Sequence, residues 1–337
     1  MQIKPPTLDD VAALAGVSTA TVSRCLNKPE QVVEGTRTKV MAAVEALGYA
    51  PNFGAQALAA KRTRTIGAII PTMENAIFAE GMQAFQEALQ AAGFTLLVAS
   101  SGYDPAVEAQ EIRTLVARGA EGILLVGHDR EASLYDFLAL RGVPAVVAWA
   151  FAPQARVLSV GFDNAAAMRA LVARALSMGH RRIGVISAQT IGNDRARARV
   201  AGVRAALAEA GLEPALVIET AYRIAEGAAA FGDLIDRAPD TTLVICGNDV
   251  LAAGALTEAR LRGIDVPGRV SVTGFDDLAL AEVVTPTLTT VRVPHRAMGE
   301  AAAGTLLALV EGRVAVGQEL PTQIRMRQSL APPPATG

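Results

Sequence analysis

Two short helices and a glycine turn can be read almost letter by letter in Thr7–Asn27, TLDDVAALAGVSTATVSRCLN, and no other stretch constrains the chain as much. Thr7 precedes an apolar series, Leu8, Val11, Ala12 and Ala15, at helical spacing. Asp10, three residues on, completes a capping box in which Asp replaces Glu. The pattern predicts a first helix over Leu8–Leu14. Gly16 supplies the backbone freedom for a sharp turn, and the Ser18 hydroxyl can accept from the amides of the next turn, so a second helix starts at once. On that helix Val22, Cys25 and Leu26 share one face, and Thr19, Ala20, Ser23, Arg24 and Asn27 share the other. The first set packs; the second is free to touch something. A third amphipathic stretch, Thr36–Leu47, carries Val40, Val44 and Leu47 on one stripe and stops at Gly48, followed by Tyr49 and Pro51. Three such helices close a small core, and so tight a helix pair is the geometry that lays its second member in a DNA groove.

The letters TLxDVAxxAGVSxxTVSRxLN, followed by YxPNxxAQxLA over Tyr49–Ala59, closely resemble the DNA-binding head of the LacI/GalR family of bacterial transcription repressors. That resemblance puts Thr19, Ala20 and Arg24 at base-reading positions and Thr7, Ser18, Thr21, Ser23 and Asn27 near the DNA backbone. Residues at the start of a recognition helix reach base edges, while flanking hydroxyls and amides hold phosphates. Arg24 suits guanine, by paired bonds to O6 and N7, and Ala20 can offer only a methyl group to thymine. Charge agrees: through Arg64 there are eight basic and five acidic residues, against 23 and 28 in the remainder. A positive head on a negative body fits one DNA-facing module and a body that need not touch phosphate.

Residues 51–64 between head and body are too alanine-rich for a plain tether and predict one short helix capped by Asn52. At that length it is marginal alone in water, and Gly54 costs it about 1 kcal/mol relative to Ala. The resemblance implies a hinge helix that pairs across a dimer in the minor groove and wedges Leu58 between base steps, with Ala55 beside it. Gly54 departs from the bulkier residue usual there.

From Ile66 onward short aliphatic runs alternate with amphipathic segments, which reads as repeated βαβ units around parallel sheets. Strands are expected at Ile66–Ile70, Thr95–Ala99, Gly122–Val126, Ala145–Trp149, Arg182–Ser187, Leu216–Glu219, Leu243–Cys246 and Val270–Thr273. About 270 residues exceed one ordinary core, so two lobes are expected. The resemblance implies an α/β body of the type I periplasmic-binding kind, two Rossmann-like lobes crossed near Gly161, Thr290 and Leu320. The expected organisation is therefore an all-α helix-turn-helix head over 1–50, a hinge over 51–64 and an effector-binding and dimerisation body over 65–334. Within the body, lobe 1 takes 65–161 and 291–320, and lobe 2 takes 162–290 and 321–334.

Ligands of open α/β sheets sit beyond the carboxyl ends of strands, which nominates Asn193, Arg195, Asn248 and Asp276. By resemblance, Arg199 is the arginine that family members turn on sugar hydroxyls or carboxylates. Asn248 and Asp276 match two further contacts, Asn75, Ile77 and Phe78 match a first-lobe wall, and Tyr222 joins the set. Trp149 stands where lactose- and purine-type repressors tend to carry an aspartate; it can stack on a sugar face or fill the core. Asn75-x-x-Phe78-Ala79-Glu80 with Gly161-Phe162-Asp163-Asn164 is most similar to the gluconate-repressor branch. The expected effector is a sugar or sugar acid, with Arg199 and Arg195 meeting its carboxylate. No other cofactor and no metal are expected. Asp249 and Asp277 read as helix caps, and His180, after Gly179, as a cation at a helix end.

Rival classes find little support. There is no P-loop, no G-x-S-x-G elbow and no G-x-G-x-x-G, and the three histidines lie far apart in sequence, so no catalytic residues are expected. A solute-binding or sensor protein would share the body but not the head. MQIKPPTLDD has no apolar leader core, and no run reaches a membrane span although 51% of residues are hydrophobic. Cys25 and Cys246 fall in different expected domains, as in a reducing cytoplasm. The resulting expectation is a cytoplasmic homodimer on a pseudo-palindromic double-stranded DNA operator, and the tail LAPPPATG carries no heptads for a tetramer helix.

Overall fold

A computed structural model describes residues 5–50, 62–74 and 76–334, and the chain divides between Thr63 and Arg64 into two compact units. The expected hinge positions Asn52, Ala55 and Leu58, and the pocket candidate Asn75, lie outside the described residues.

In the first unit, α1 (Leu8–Ala15), α2 (Thr19–Asn27) and α3 (Glu34–Leu47) enclose a core of Val11, Ala12, Val22, Cys25, Val40 and Ala43. Each boundary has a local cause. The Thr7 amide donates to Asp10 Oδ2 at 2.8 Å while the Asp10 amide donates to Thr7 Oγ1 at 3.3 Å, so the Asp-for-Glu capping box forms. Gly16 ends α1 in the left-handed region at φ 68°, and Ser18 Oγ accepts from the Thr21 amide at 3.2 Å to open α2.

The second unit begins with β1 (Thr65–Ile70), α4 (Ala79–Ala91), β2 (Thr95–Ser100), α5 (Pro105–Ala117), β3 (Gly122–Val126), α6 (Ala132–Leu140), β4 (Ala145–Ala148) and β5 (Ser159–Gly161). It continues with α7 (Asn164–Ser177), β6 (Ile183–Ala188), α8 (Asp194–Glu209), β7 (Leu216–Thr220), α9 (Ile224–Arg237), β8 (Leu243–Cys246), α10 (Asp249–Leu261) and β9 (Ser271–Thr273). Last come the short α11 (Leu280–Val283), β10 (Thr290–Arg292), α12 (His295–Val310), β11 (Gln318–Glu319) and β12 (Gln323–Arg325). The first sheet is six-stranded in the order β11-β5-β4-β3-β1-β2, and the second four-stranded in the order β7-β6-β8-β9. Their pairings are parallel, and β1, β3, β4, β6 and β8 are wholly buried, as strands covered on both faces must be.

The chain leaves the first sheet after β5 and builds the second. It then returns through β10 to α12, which lies against α4. Gly81 and Gly299 let those two helices approach closely, since a Cβ on Gly299 would run into the Gly81 carbonyl. After β11 the chain passes back through β12, antiparallel to β10, and ends beside β9, where the Val272 amide donates to the Ser329 carbonyl at 2.9 Å. Two lobes thus share an antiparallel ribbon, and every functional strand end faces the space between them.

Some local readings change. Trp149 falls outside β4 because its φ is 62°, and Asp249 is the first residue of α10 rather than its cap. Asp277 caps no helix; its Oδ1 accepts from Arg327 Nη1 at 2.7 Å. His180 is no surface cation. It is fully buried, with Nδ1 2.9 Å from Thr242 Oγ1 and Nε2 2.8 Å from the Ala331 carbonyl, and so ties the chain end to the second sheet.

Burial holds the pKa of His180 below the ordinary imidazole range, against the pull of the Ala331 carbonyl, and burial lowers His128 as well. The folded state therefore takes up fewer protons than the unfolded chain as pH drops through that range. The stability conferred is present above the ordinary histidine pKa and is lost as pH falls below it toward the folded value. The melting temperature of the full chain should fall from pH 7.5 to pH 5.5, and His180→Asn should flatten that fall. At pH 7.5 the variant should cost about 1–3 kcal/mol for the buried partners left unsatisfied. An unchanged pH slope in His180→Asn would assign the sensitivity elsewhere.

Candidate functional site

The first unit presents one polar face. On α2, Ala20, Arg24 and Asn27 are exposed and Thr19, Thr21 and Ser23 half-buried, while Val22 and Cys25 are turned into the core. Among the described residues Arg24 has no ion-pair partner, so its guanidinium stays available. The hydroxyls beside it are tied locally: Thr7 Oγ1 donates to Asp10 Oδ2 at 2.7 Å, Ser18 and Thr21 hydroxyls are 2.9 Å apart, and Asn27 Nδ2 donates to Ser23 Oγ at 3.3 Å. These bonds fix the side chains in one orientation along the face, with lone pairs left over to meet an outside donor.

In the second unit the strand ends converge on a gap of about 20 Å³ between the lobes. It is bounded by Ile77 and Phe78 after β1, Tyr103 after β2, Trp149 after β4, and Phe162 and Asn164 after β5. From the other lobe come Asn193, Arg195 and Arg199 from the start of α8, Tyr222 after β7 and Asp276 after β9. Arg199 is the hub. Its side chain is 9% exposed, its Nη2 donates to the Tyr222 hydroxyl at 3.0 Å, and its guanidinium sits 4.6 Å over the Phe275 ring. The nearest carboxylate, Asp276 Oδ1, is 3.9 Å from Nη1. Arg195 Nη1 lies 2.9 Å from Asp194 Oδ1, whose other oxygen accepts from the His128 amide across the lobes at 2.6 Å.

With Arg195 paired to Asp194, the charge left without a close partner is that of Arg199, which faces the carboxylate of Asp276 at 3.9 Å. Burial pushes the Asp276 pKa up, only partly offset by Arg199, which weakens the opposing charge further. Burial likewise raises the Tyr103 phenol, keeping it a neutral donor. Three polar atoms here are buried with no hydrogen-bond partner among the described residues: Trp149 Nε1, Asn164 Oδ1 and Arg199 Nε. Buried polar groups are ordinarily paired, so two donors and one acceptor facing the same gap form an unfinished network.

Backbone strain gathers at the same place. Tyr103, Trp149 and Asp276 carry φ of 64°, 62° and 105°, a region that side chains rarely adopt, and each follows the carboxyl end of a strand. The strain turns three large or charged side chains inward. Trp149 packs edge-on against Phe78 with centroids 5.1 Å apart, so it serves as wall and donor together.

Ile77, Phe78, Trp149, Asn193, Arg195, Arg199, Tyr222 and Asp276 are thus brought together, as read from the sequence. Asn248 is not. It is fully buried, and its Oδ1 caps α10 by accepting from the Leu251 amide at 2.9 Å, which turns the carboxamide toward its own helix. Tyr103 and Asn164 were missed, although each stands just past a strand or at a helix start, where the strand-end rule could have found it.

A helix-turn-helix unit with an open polar face, followed by an α/β body with a charged site at its strand ends, defines a DNA-binding regulator that carries its own ligand domain. Residues 7–52 match the family "Bacterial regulatory proteins, lacI family", and residues 172–330 match the "Periplasmic binding protein-like domain". The chain is 31% identical over 313 residues to the HTH-type transcriptional regulator GntR of Escherichia coli strain K12, spanning 93% of this chain and 94% of that one. Among solved structures, a LacI-family transcriptional regulator from Silicibacter pomeroyi is similar at TM-score 0.89 and 28% identity, over 97% of this chain and all of that one. The lac repressor dimer bound to operator and the anti-inducer ONPF is similar at TM-score 0.85 and 26% identity, over 97% and 99%. This chain belongs to the LacI family: it is a DNA-binding transcriptional regulator with an effector-binding domain. Members of this family are transcription regulators rather than enzymes. Among the described residues no cluster of three or more metal-ligating side chains occurs, and no helix is long and apolar enough to cross a membrane.

Trp149 is the chain's only tryptophan and is 3% exposed, so its fluorescence reports the interlobe gap alone. Emission should be blue-shifted and poorly quenched by acrylamide, and an effector that enters the gap should change its intensity. Emission like that of free tryptophan would contradict the packing against Phe78.

Proposed function

We propose that this chain is a homodimeric, cytoplasmic repressor of carbohydrate or sugar-acid genes whose effector is a small polyhydroxy acid held between the lobes. The observation that carries the ligand class is the buried Arg199 guanidinium, whose carboxylate neighbour Asp276 stands off at 3.9 Å, beside the unpartnered Trp149 Nε1, Asn164 Oδ1 and Arg199 Nε. A carboxylate would take the charge-assisted bonds of Arg199 and Arg195, and hydroxyls would complete the neutral donors and acceptor. A neutral sugar would leave the Arg199 guanidinium with no carboxylate nearer than Asp276 at 3.9 Å.

On the DNA side, Arg24 reads guanine and Thr19 and Ala20 line the same groove, while Thr7, Ser18, Thr21, Ser23 and Asn27 meet the backbone. The lac repressor structure similar to this chain is a dimer on its operator, and two copies here would hold two heads over half-sites about one helical turn apart. In this scheme Leu58, with Asn52 and Ala55, wedges the central step, and Asn75 completes the first-lobe wall. Effector binding shifts the lobes and, through the lobe-1 interface, the pairing of the hinges.

Two measurements test the two halves. Arg24→Ala should cost about 1–3 kcal/mol at one base pair in each half-site, relaxing sequence preference there with little effect elsewhere. Unchanged preference would remove Arg24 from base reading. In a thermal-shift panel of sugars, sugar acids and nucleobases, aldonic acids should raise the melting temperature. Arg199→Ala should weaken their binding about 10- to 100-fold, the size of one or two charge-assisted bonds. Stabilisation by neutral sugars or purines but not by aldonic acids would overturn the effector class.

A further inference from the structure

The inner gap, at about 20 Å³, has room for roughly one water-sized group. Beside it the cleft widens into a cavity of about 270 Å³, close to the lower end of the range of roughly 300–1,000 Å³ typical of small-molecule sites. The charged end of a ligand has its partners in the first space, and two larger spaces adjoin it. One, of about 330 Å³, lies past Phe162, Asn164 and Arg195, and the carboxylates of Asp163 and Asp194 line it and so disfavour it for an acid; the other is the cavity of about 270 Å³. Tyr103, Asn193 and Tyr222 border both that cavity and the inner gap, so these two spaces are adjoining parts of one cleft.

The walls of that cavity differ in chemistry from those of the inner gap. It opens between the carboxyl ends of β1 and β2 in one lobe and β6 and β7 in the other, and so runs from the sheet centres toward the outer strands β2 and β7. Tyr103 and Tyr222, with centroids 6.1 Å apart and planes tilted by 47°, supply aromatic surface, and Thr72, Gln189 and Thr220 supply neutral polar groups. Its only ionisable side chains besides the tyrosines are Glu74 and Arg223, and these pair with each other across the lobes at 3.2 Å. No unbalanced charge remains there. Such a lining suits a ring with hydroxyls on its edge and C–H groups on its face, and offers nothing to a second anion such as a phosphate.

We propose that the effector cleft has two compartments and that its ligand is a two-unit sugar acid, an open-chain aldonate joined to one neutral sugar ring. The carboxylate end points into the inner gap against Arg195 and Arg199, and the neutral sugar ring occupies the outer cavity against Tyr103 and Tyr222. This inference rests on the sugar-acid reading above and adds a size and a direction to it.

Calorimetry on the full-length protein separates the two. The probes are gluconate, the glucosyl-gluconates cellobionate and maltobionate, and the neutral cellobiose and maltose. At least one glucosyl-gluconate should bind about tenfold or more tightly than gluconate, a gain of about 1.4 kcal/mol. Ala221→Trp, at an exposed position on the outer wall, should abolish that gain, and unchanged operator affinity of the ligand-free variant certifies the fold. Gln189→Ala should reduce the gain more mildly, and Arg199→Ala should weaken all the acids. Equal affinity for gluconate and the glucosyl-gluconates, or a gain that survives Ala221→Trp, would overturn the outer compartment and leave the sugar-acid reading intact. Binding of the neutral disaccharides without binding of any acid would overturn that reading and this inference with it.

Discussion

The buried guanidinium of Arg199 is the constraint to which the rest of the cleft answers. A full positive charge taken out of water costs several kcal/mol unless its surroundings replace the lost hydration. Here the replacement is partial: the Tyr222 hydroxyl, the Phe275 ring face and a carboxylate at 3.9 Å. A cation over an aromatic face recovers about 0.5–2 kcal/mol, and the Nε–H finds no partner among the described residues. The site is therefore built to gain from a ligand that completes it. The left-handed backbone at Tyr103, Trp149 and Asp276 belongs to the same design, since preorganisation at strand ends stores its cost in the sheets that hold those residues rigid.

Around that hub polar contacts join the lobes beside an apolar core that is continuous from one lobe to the other. Asp129 and Arg197 pair through two bonds of 2.8 Å, Glu74 and Arg223 pair at the mouth, and Asp194 reaches the His128 amide. The two ion pairs are largely exposed, so each contributes little alone and weakens with salt. Asp249 adds a tie at the crossing ribbon, where its Oδ1 accepts from the Thr290 hydroxyl at 2.6 Å and Oδ2 from the Leu278 amide at 2.7 Å. Burial, with Asp276 nearby, pushes its carboxyl well above the usual range.

Legibility in the sequence followed the range of the forces involved. The head was readable because its boundaries depend on contacts three or four residues apart: Thr7 with Asp10, Gly16 at the turn, Ser18 with Thr21. The parallel strands were readable as aliphatic runs, residues past their ends nominated Asn193, Arg195 and Asp276, and the family resemblance supplied Ile77, Phe78, Arg199 and Tyr222. The left-handed conformations could not be read, because Tyr103 and Trp149 are not residues that favour them and only the assembled sheets impose them. For the same reason Tyr103 was overlooked and Trp149 was extended into a strand. His180 reads as a cation at a helix end because its partner, the Ala331 carbonyl, depends on how the chain folds back, whereas the Asn248 cap on the Leu251 amide spans three residues and is as local as the caps of the head.

What makes the molecule a switch is a coupling free energy between the α2 face and the Arg199 cleft, reciprocal by thermodynamic necessity. The direct measurement is operator affinity at fixed ionic strength, about 150 mM, with and without a saturating concentration of the tightest-binding sugar acid. A change of at least about fivefold, roughly 1 kcal/mol, in either direction is expected, matched by an equal change in sugar-acid affinity when operator is present. Identical operator affinity with the cleft filled and unfilled would contradict it.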